Sequence, residues 1–352
     1  MLTRTIAEQI ILEAVHAPSG DNAQPWRFVV SQNKIGVFDV PDPGIYNFKN
    51  RGSYIAQGAL IENISIIAAH FGFSAEITLC PDPNQASYIA AITFTEKPGL
   101  SADLYPYIAN RATNRKKYFT TPLQAEEKDK LKNSFLGSNS RVVLIEDKTT
   151  KIKVVKALVV NERLILENKI VHDYLFSNIF WTKDEVELRK SGLDAATLEL
   201  AFPKLFIFKK CKNWVVAKIL TQFGLSRAIA ADNAKLYMSS SAFGAILIKN
   251  QGIVDYLETG RLMQRFWLRA TSLEIYLQPV AAVPFLAQRL AAGDKANFSL
   301  VEAALIEKAS ITLKNEFNLN PDETIAMVFR LGKALAPTAV SVRRKPEIVF
   351  QS

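Results

Sequence analysis

The chain is predicted to adopt an α+β fold built from two successive units, and three observations carry that expectation. Its 352 residues are 49 % hydrophobic and 22 % charged, enough apolar material for a large packed core. The first 96 residues read as helix, strand pair, long helix, strand. After a break at Pro98-Gly99-Leu100-Ser101 the same order of elements returns.

Residues 5–16 carry Ile6, Ile10, Leu12, Ala14 and Val15 at helical spacing, and Pro18 ends that helix. Residues 26–30 and 34–40 read as a strand pair around Ser31-Gln32-Asn33. A long helix is expected over 55–71. Its small opening residues, Ala56, Gly58 and Ala59, allow close approach of a helix or a ligand. A β-rich strand over 87–95 follows. Beyond the break, 126–135 reads as helix and 141–145 as a strand matching 27–30. Residues 262–273 read as a helix matching 55–71, and 324–331 as a strand matching 87–95. Long insertions separate these elements, and roughly 150–250 aligns with nothing earlier.

Bulk chemistry narrows the function. Apolar runs such as 61–69 are interrupted by charge and fall short of the roughly 18 residues a membrane span needs. Met1-Leu2-Thr3-Arg4 leads into a helix without the layout of a secretory leader. Two cysteines, Cys80 and Cys211, make no disulfide framework. A cytoplasmic location is expected. The net charge is +9, with basic residues densest at 111–117, 204–218 and 343–345. No nucleic-acid-binding signature accompanies them, so an anionic small ligand is the expected partner and nucleic acid is not. His16, His70 and His172 fall in no metal-like or triad-like spacing. Neither a metal site nor a side-chain catalytic residue is expected. No dinucleotide or P-loop glycine motif is present.

One stretch stands apart: Ala17-Pro18-Ser19-Gly20-Asp21-Asn22-Ala23-Gln24-Pro25-Trp26-Arg27-Phe28. It joins a helix to a strand through a turn that aims several donors and acceptors at one place. That suits a flat polar heterocycle better than a metal, although the same residue types make ordinary loops. The order A-P-S-x-x-N-x-Q-P-W resembles the signature of the flavin-dependent nitroreductase superfamily, whose members hold FMN at a dimer interface. Arg111-Ala112-Thr113-Asn114-Arg115-Lys116-Lys117-Tyr118 is similar to the R-x-S-x-R-x-Y/F motif that opens such a unit, with Thr113 in place of serine. The first unit lacks that motif. The second has lost the turn and keeps Gly137-Ser138-Asn139-Ser140. The resemblance implies a nitroreductase-like fold of two fused repeats, each an antiparallel sheet plus helices, forming an intrachain pseudo-dimer. Unit one spans 1–105 and unit two 106–352, with one complete FMN site per chain.

The resemblance also implies residue roles. Pro18, Ser19, Gly20 and Asn22 would meet the polar edge of FMN, with Gln24 in the same turn. Arg111, Thr113, Asn114 and Arg115 would clamp its phosphate, although R-x-x-x-R is also a common solvated face. Val342-Arg343-Arg344-Lys345-Pro346 resembles the basic residues that complete the clamp, and reads equally as a polar tail. Leu277-Gln278-Pro279-Val280-Ala281-Ala282 stands where relatives place a backbone donor near the flavin N5. Pro279, Val280 and Ala281 are therefore cofactor-binding candidates, with Val280 and Ala281 replacing glycines. NAD(P)H is the implied electron donor and a small molecule the acceptor. The alternative is a protein that binds FMN with little or no turnover. A monomer or homodimer is expected. Finally, residues 202–214 place Phe202, Phe206, Phe208 and Trp214 among lysines. They run into a helix with Val216, Ile219, Leu220 and Phe223 on one face. Three readings stand for it: a lid within 200–225, a membrane-surface patch, or a plain core helix, membrane contact being the less expected.

Overall fold

Two sheets flank a pair of crossing helices in the computed structural model, which describes residues 2–351; Met1 and Ser352 lie outside the described residues. The chain begins with α1 (Arg4–Ala14). Thr3 caps it, its hydroxyl accepting the Ile6 N–H at 3.2 Å, and Ala7, Ile10, Ile11 and Ala14 are buried. Then come β1 (Trp26–Ser31), β2 (Lys34–Asp39), α2 (Arg51–His70), β3 (Phe73–Leu79) and β4 (Tyr88–Glu96). After α3 (Ala125–Lys132) and β5 (Arg141–Ile145), the unaligned insertion folds as a helical block. It contains α4 (Lys148–Leu158), α5 (Val160–Glu167), α6 (Lys169–Asn178), β6 (Ile179–Phe180), α7 (Lys183–Arg189) and β7 (Leu193–Asp194). It continues with α8 (Phe202–Lys210), α9 (Trp214–Gln222) and α10 (Leu225–Met238). The chain closes with β8 (Ala242–Ile248), α11 (Ile253–Ser272), β9 (Tyr276–Pro279), α12 (Ala282–Ala291), α13 (Leu300–Glu316), β10 (Thr324–Gly332) and β11 (Ile348–Gln351).

The first sheet has the order β11-β1-β2-β4-β3 and the second β5-β8-β10-β9. The pairs β1–β2, β2–β4 and β4–β3 are antiparallel, as are β5–β8, β8–β10 and β10–β9. The second set visits its positions in the same chain order as the first, with α11 standing where α2 stands. The strands expected at 141–145 and 324–331 and the helix expected at 262–273 fall at those matching positions. Helix α11 starts nine residues earlier than the expected helix. Its first turns carry Ile253, Tyr256 and Leu257 at helical spacing, interleaved with Asp255, Glu258 and Arg261, a stripe that the reading from 262 onward leaves out.

Helices α2 and α11 touch backbone to backbone. A Cβ on Gly58 would lie 1.9 Å from the Leu257 carbonyl oxygen, and one on Gly260 2.0 Å from that of Ile55. The contact is reciprocal, three residues back on each helix. Beside it, buried Glu62 accepts hydrogen bonds from Arg261 Nε (3.2 Å) and Arg265 Nε (2.9 Å). Asn63 accepts from Gln264 Nε2 at 2.8 Å. The buried carboxylate is thus paired, as burial of a charge requires.

Two departures from expectation bear on the site. Strand β11 pairs in parallel with β1, Phe28 opposite Ile348, so the division at 105/106 is crossed by the last strand, which joins the first sheet. The 202–223 segment is not one continuous helix, and only one side of it joins a core. The Asn213 side chain accepts the Val215 and Val216 N–H groups, breaking the segment into α8 and α9. Ile219 and Phe223, expected on a packed face, are exposed.

Candidate functional site

A cavity of about 1210 Å³ lies where several elements converge. These are the α1–β1 turn, the start of α2, the 113–117 segment, the β9–α12 loop and the helical block. The turn that forms one wall is strained. Asp21, Asn22 and Gln24 have φ of +45°, +56° and +54°, a left-handed conformation that non-glycine residues adopt at a cost. Hydrogen bonds hold it there. Ser19 Oγ accepts the Gln24 N–H at 3.0 Å, and Gln24 Nε2 donates to the Lys190 carbonyl at 2.7 Å. Gln24 Oε1 accepts the Arg344 N–H at 3.0 Å, and Asn22 Nδ2 donates to the Val342 carbonyl at 3.0 Å. Pro18, Ser19 and Gly20 therefore line the cavity. Asn22 and Gln24 are buried and do not: they bind the turn to the returning C-terminal segment.

The 111–115 segment divides in the same way. Thr113 forms a β-bridge to Leu277, and Asn114 donates its N–H to the Leu277 carbonyl at 3.2 Å. That places Thr113 and Arg115 on the wall. Asn114 is fully buried and donates to the Leu335 carbonyl at 2.8 Å, so it shapes the loop without facing the cavity. Arg115 donates to the Thr197 carbonyl at 3.1 Å.

Arg111, 6 % exposed, lies outside the wall, stacked at 4.5 Å on the ring of Trp267, which does line the cavity. Arg111 donates to the His16 carbonyl at 2.8 Å and its Nε has no partner. Arg343 donates to the same carbonyl at 3.3 Å, to Val15 O at 2.8 Å and to Asn22 Oδ1 at 2.9 Å. Burial, and then the Arg343 charge, pull the Arg111 pKa below the usual guanidinium value. Burial also lowers that of Arg343. Neither makes an ion pair with a carboxylate among the described residues. Arg344 bonds to the Ala23 and Gln24 carbonyls. The 343–345 stretch is therefore no polar tail; its arginines cover the carbonyls after α1 and inside the turn.

Pro279, Val280 and Ala281 line the cavity. The Val280 N–H is donated to the Val328 carbonyl at 2.8 Å, so it offers no free amide. The next unpaired donors belong to the first turn of α12, where helix geometry leaves N–H groups open.

Sequence reasoning missed the polar residues on the cavity's far side. Tyr46 donates to Asn161 Oδ1 at 2.7 Å, and Tyr237 to Glu162 Oε1 at 3.1 Å. Burial pushes the Glu162 and Asp21 carboxyls up, with hydrogen bonds from Tyr237 and Tyr174, respectively, acting against it. The helical block that supplies most of them matches no motif; only the position of Asp21 inside the turn was a signal. Because the fold raises the Glu162 pKa, its favourable contribution is full below the unfolded value and is lost as pH rises through the raised one. Glu162→Gln, neutral at every pH, should melt above the parent at pH 8, with the gap closing toward pH 4. An equal gap at both values would mean that ionisation of Glu162 is not what the fold resists.

No protein-family model matches the chain. It is 23 % identical over 341 residues to an uncharacterized protein, MT1398, of Mycobacterium tuberculosis; the match covers 96 % of this chain and 47 % of that one. It is 26 % identical over 190 residues to the "Putative NAD(P)H nitroreductase acg" of the same organism, covering 52 % of this chain and 55 % of the relative. The chain thus spans about half the length of the curated relatives it matches. Among solved structures, the FMN-dependent nitroreductase NfnB from Mycobacterium smegmatis, in complex with NADPH, aligns over 69 % of this chain and 94 % of its own. The identity is 12 % and the TM-score 0.41. A nitroreductase with bound FMN from Bacteroides fragilis aligns over 69 % and 95 %, at 7 % identity and a TM-score of 0.36.

Proposed function

We propose that this chain is a nitroreductase-type flavoprotein that holds one FMN and passes electrons from NAD(P)H to a small acceptor. One observation carries the reading. The Pro18–Ser19–Gly20 turn, Thr113 with Arg115, and the Pro279–Ala281 loop come from distant parts of the chain and line one cavity. The residues also suit the cofactor chemically. Arg111 is buried and Arg343 half-buried; they share one carbonyl and leave the Arg111 Nε unsatisfied. A phosphate dianion would satisfy that atom and neutralise the pair. In this reading Thr113 and Arg115 meet the phosphate end from the wall, and Arg111 and Arg343, which do not line the cavity, would turn toward it. Pro18, Ser19 and Gly20 border the ring's polar edge, and the first-turn amides of α12 offer it donors. Trp267, Phe285 and Met263 on the wall keep water out. When bound, FMN supplies the two-electron chemistry between NAD(P)H and the acceptor.

The matched strand order of the two sheets and the reciprocal Gly58–Gly260 contact support the companion reading that the chain is two fused copies of one unit. Each copy would then keep the half-site that the other lost. Titration of apo-protein with FMN should saturate at one equivalent, and two would refute complementary loss. The purified protein should be yellow and bleach on addition of NADPH or NADH; a chain that takes up no FMN ends the reading. The alternative, a protein that stores FMN without turnover, has two observations in its favour. The Val280 amide is committed to Val328, and α8 and α10 wall the cavity through Phe208 and Ile229. A yellow protein that stays oxidised with excess NADPH would establish it.

A further inference from the structure

Helices α8 and α9 turn their apolar side chains outward. Phe202 is 80 % exposed and Phe206 54 %, four residues apart on α8. Val215 is 62 % exposed, Ile219 48 % and Phe223 86 %, again at four-residue steps along α9 and its cap. Four-residue spacing puts each set on one helix face. The opposite sides are already occupied, since Cys211 and Ala217 are fully buried and Phe208 packs against Phe176 at 4.9 Å between ring centroids. Residues 202–231 contain Lys204, Lys209, Lys210, Lys212, Lys218 and Arg227 and no aspartate or glutamate. Of these, only Lys204 makes an ion pair among the described residues, with Asp232 at 2.5 Å. The surface thus combines protruding phenylalanines with exposed cations, of which Lys209 and Lys210 lie over the Trp181 and Phe206 rings and Lys212 acts on Glu185.

We propose that α8 and α9 form a docking face for an anionic phospholipid bilayer. Apolar side chains standing out from a field of lysines match an interface whose headgroups are negative and whose interior is apolar. A second copy of the chain fits poorly. A two-fold contact would set this face against itself and bring its lysines together. The attachment proposed is peripheral and reversible, through side chains of an amphipathic surface; no helix among the described residues is long and apolar enough to cross a membrane. Helix α8 also walls the cavity through Lys204 and Phe208, which places the docked membrane beside it. The proposal does not depend on what the cavity binds.

The test is cosedimentation of the full chain with vesicles of phosphatidylcholine alone or with about one-third phosphatidylglycerol. Binding should require the anionic lipid and weaken at least tenfold between 0.1 M and 0.5 M salt. Charge reversal at three positions, K209E/K210E/K212E, should lower binding at least tenfold. So should the replacement of the phenylalanines, F202S/F206S/F223S. All six sites are exposed, so melting temperatures serve as the folding control. No binding to anionic vesicles overturns the proposal. So does unchanged binding by the phenylalanine variant, which would leave non-specific attraction of basic protein to negative charge. A concentration-dependent dimer that the phenylalanine variant abolishes would assign the face to a second copy instead.

Discussion

Replacing Gly260 by alanine should destabilise the protein by about 3 kcal/mol, at the upper end of ordinary overpacking. The sign is what makes this informative. At an open helical position, glycine to alanine stabilises by roughly 0.5–1 kcal/mol, because the unfolded chain loses freedom. At Gly260 the new Cβ would meet the Ile55 carbonyl oxygen at 2.0 Å and the Gly58 Cα at 2.9 Å. Both are backbone atoms, so no side chain can swing aside. The helices must separate, and Leu257 and Leu268 on α11 and Ile55 on α2 lose packing in the cores they enter. Gly58→Ala should cost a similar amount by the mirrored contact with Leu257. The double variant should cost less than the sum, because one separation relieves both clashes. Thermal melts of the three variants decide it. A Gly260→Ala protein that melts at or above the parent temperature would mean that the helices do not cross this closely.

Arg111→Ala should weaken FMN binding by roughly tenfold to more than a hundredfold, the loss of one charge-assisted contact of about 1.5–3 kcal/mol. It should leave riboflavin binding nearly unchanged, because riboflavin lacks the phosphate. Arg115→Ala should cost less than Arg111→Ala. Arg115 is already committed to the Thr197 carbonyl and feels the Asp21 charge, whereas Arg111 has an unpaired Nε and makes no ion pair with a carboxylate among the described residues. Titrations followed by flavin fluorescence separate the cases. Equal losses for the two ligands would place Arg111 away from the phosphate, and a fall in melting temperature without FMN would report its stacking on Trp267 instead.

The elements that periodicity encodes were legible. Helix α1, strands β1, β2, β4, β5 and β10, and the core of α2 sit within a few residues of their expected positions. Their apolar spacing is written in short windows. Six strands were not legible: the seven-residue β3 and β8, the two-residue β6 and β7, and two whose difficulty is plain. β9 has four residues, and β11 is separated from its partner β1 by more than 300 positions. The helical block of 148–238 was hidden for another reason. Several of its helices are short, and their stripes reach solvent, the cavity and one another, so no single period dominates.

The candidate site shows the same division. Sequence alone determined that a polar turn at 18–24 and an arginine pair at 111 and 115 are local features, because turn chemistry and residue spacing need only neighbours in the chain. It also determined that 202–223 is amphipathic and basic. Tertiary structure decided which of those side chains face the cavity. Asn22, Gln24 and Asn114 turn inward because backbone groups of Val342, Lys190 and Leu335 are waiting for them. Arg111 turns to His16 and Trp267, while Arg115 stays on the wall. Only the fold could show that Phe202, Phe206 and Phe223 point outward while Phe208 packs inward. Spacing places apolar residues on one side of a helix, but whether protein or solvent meets that side depends on which distant elements have already filled the space behind it.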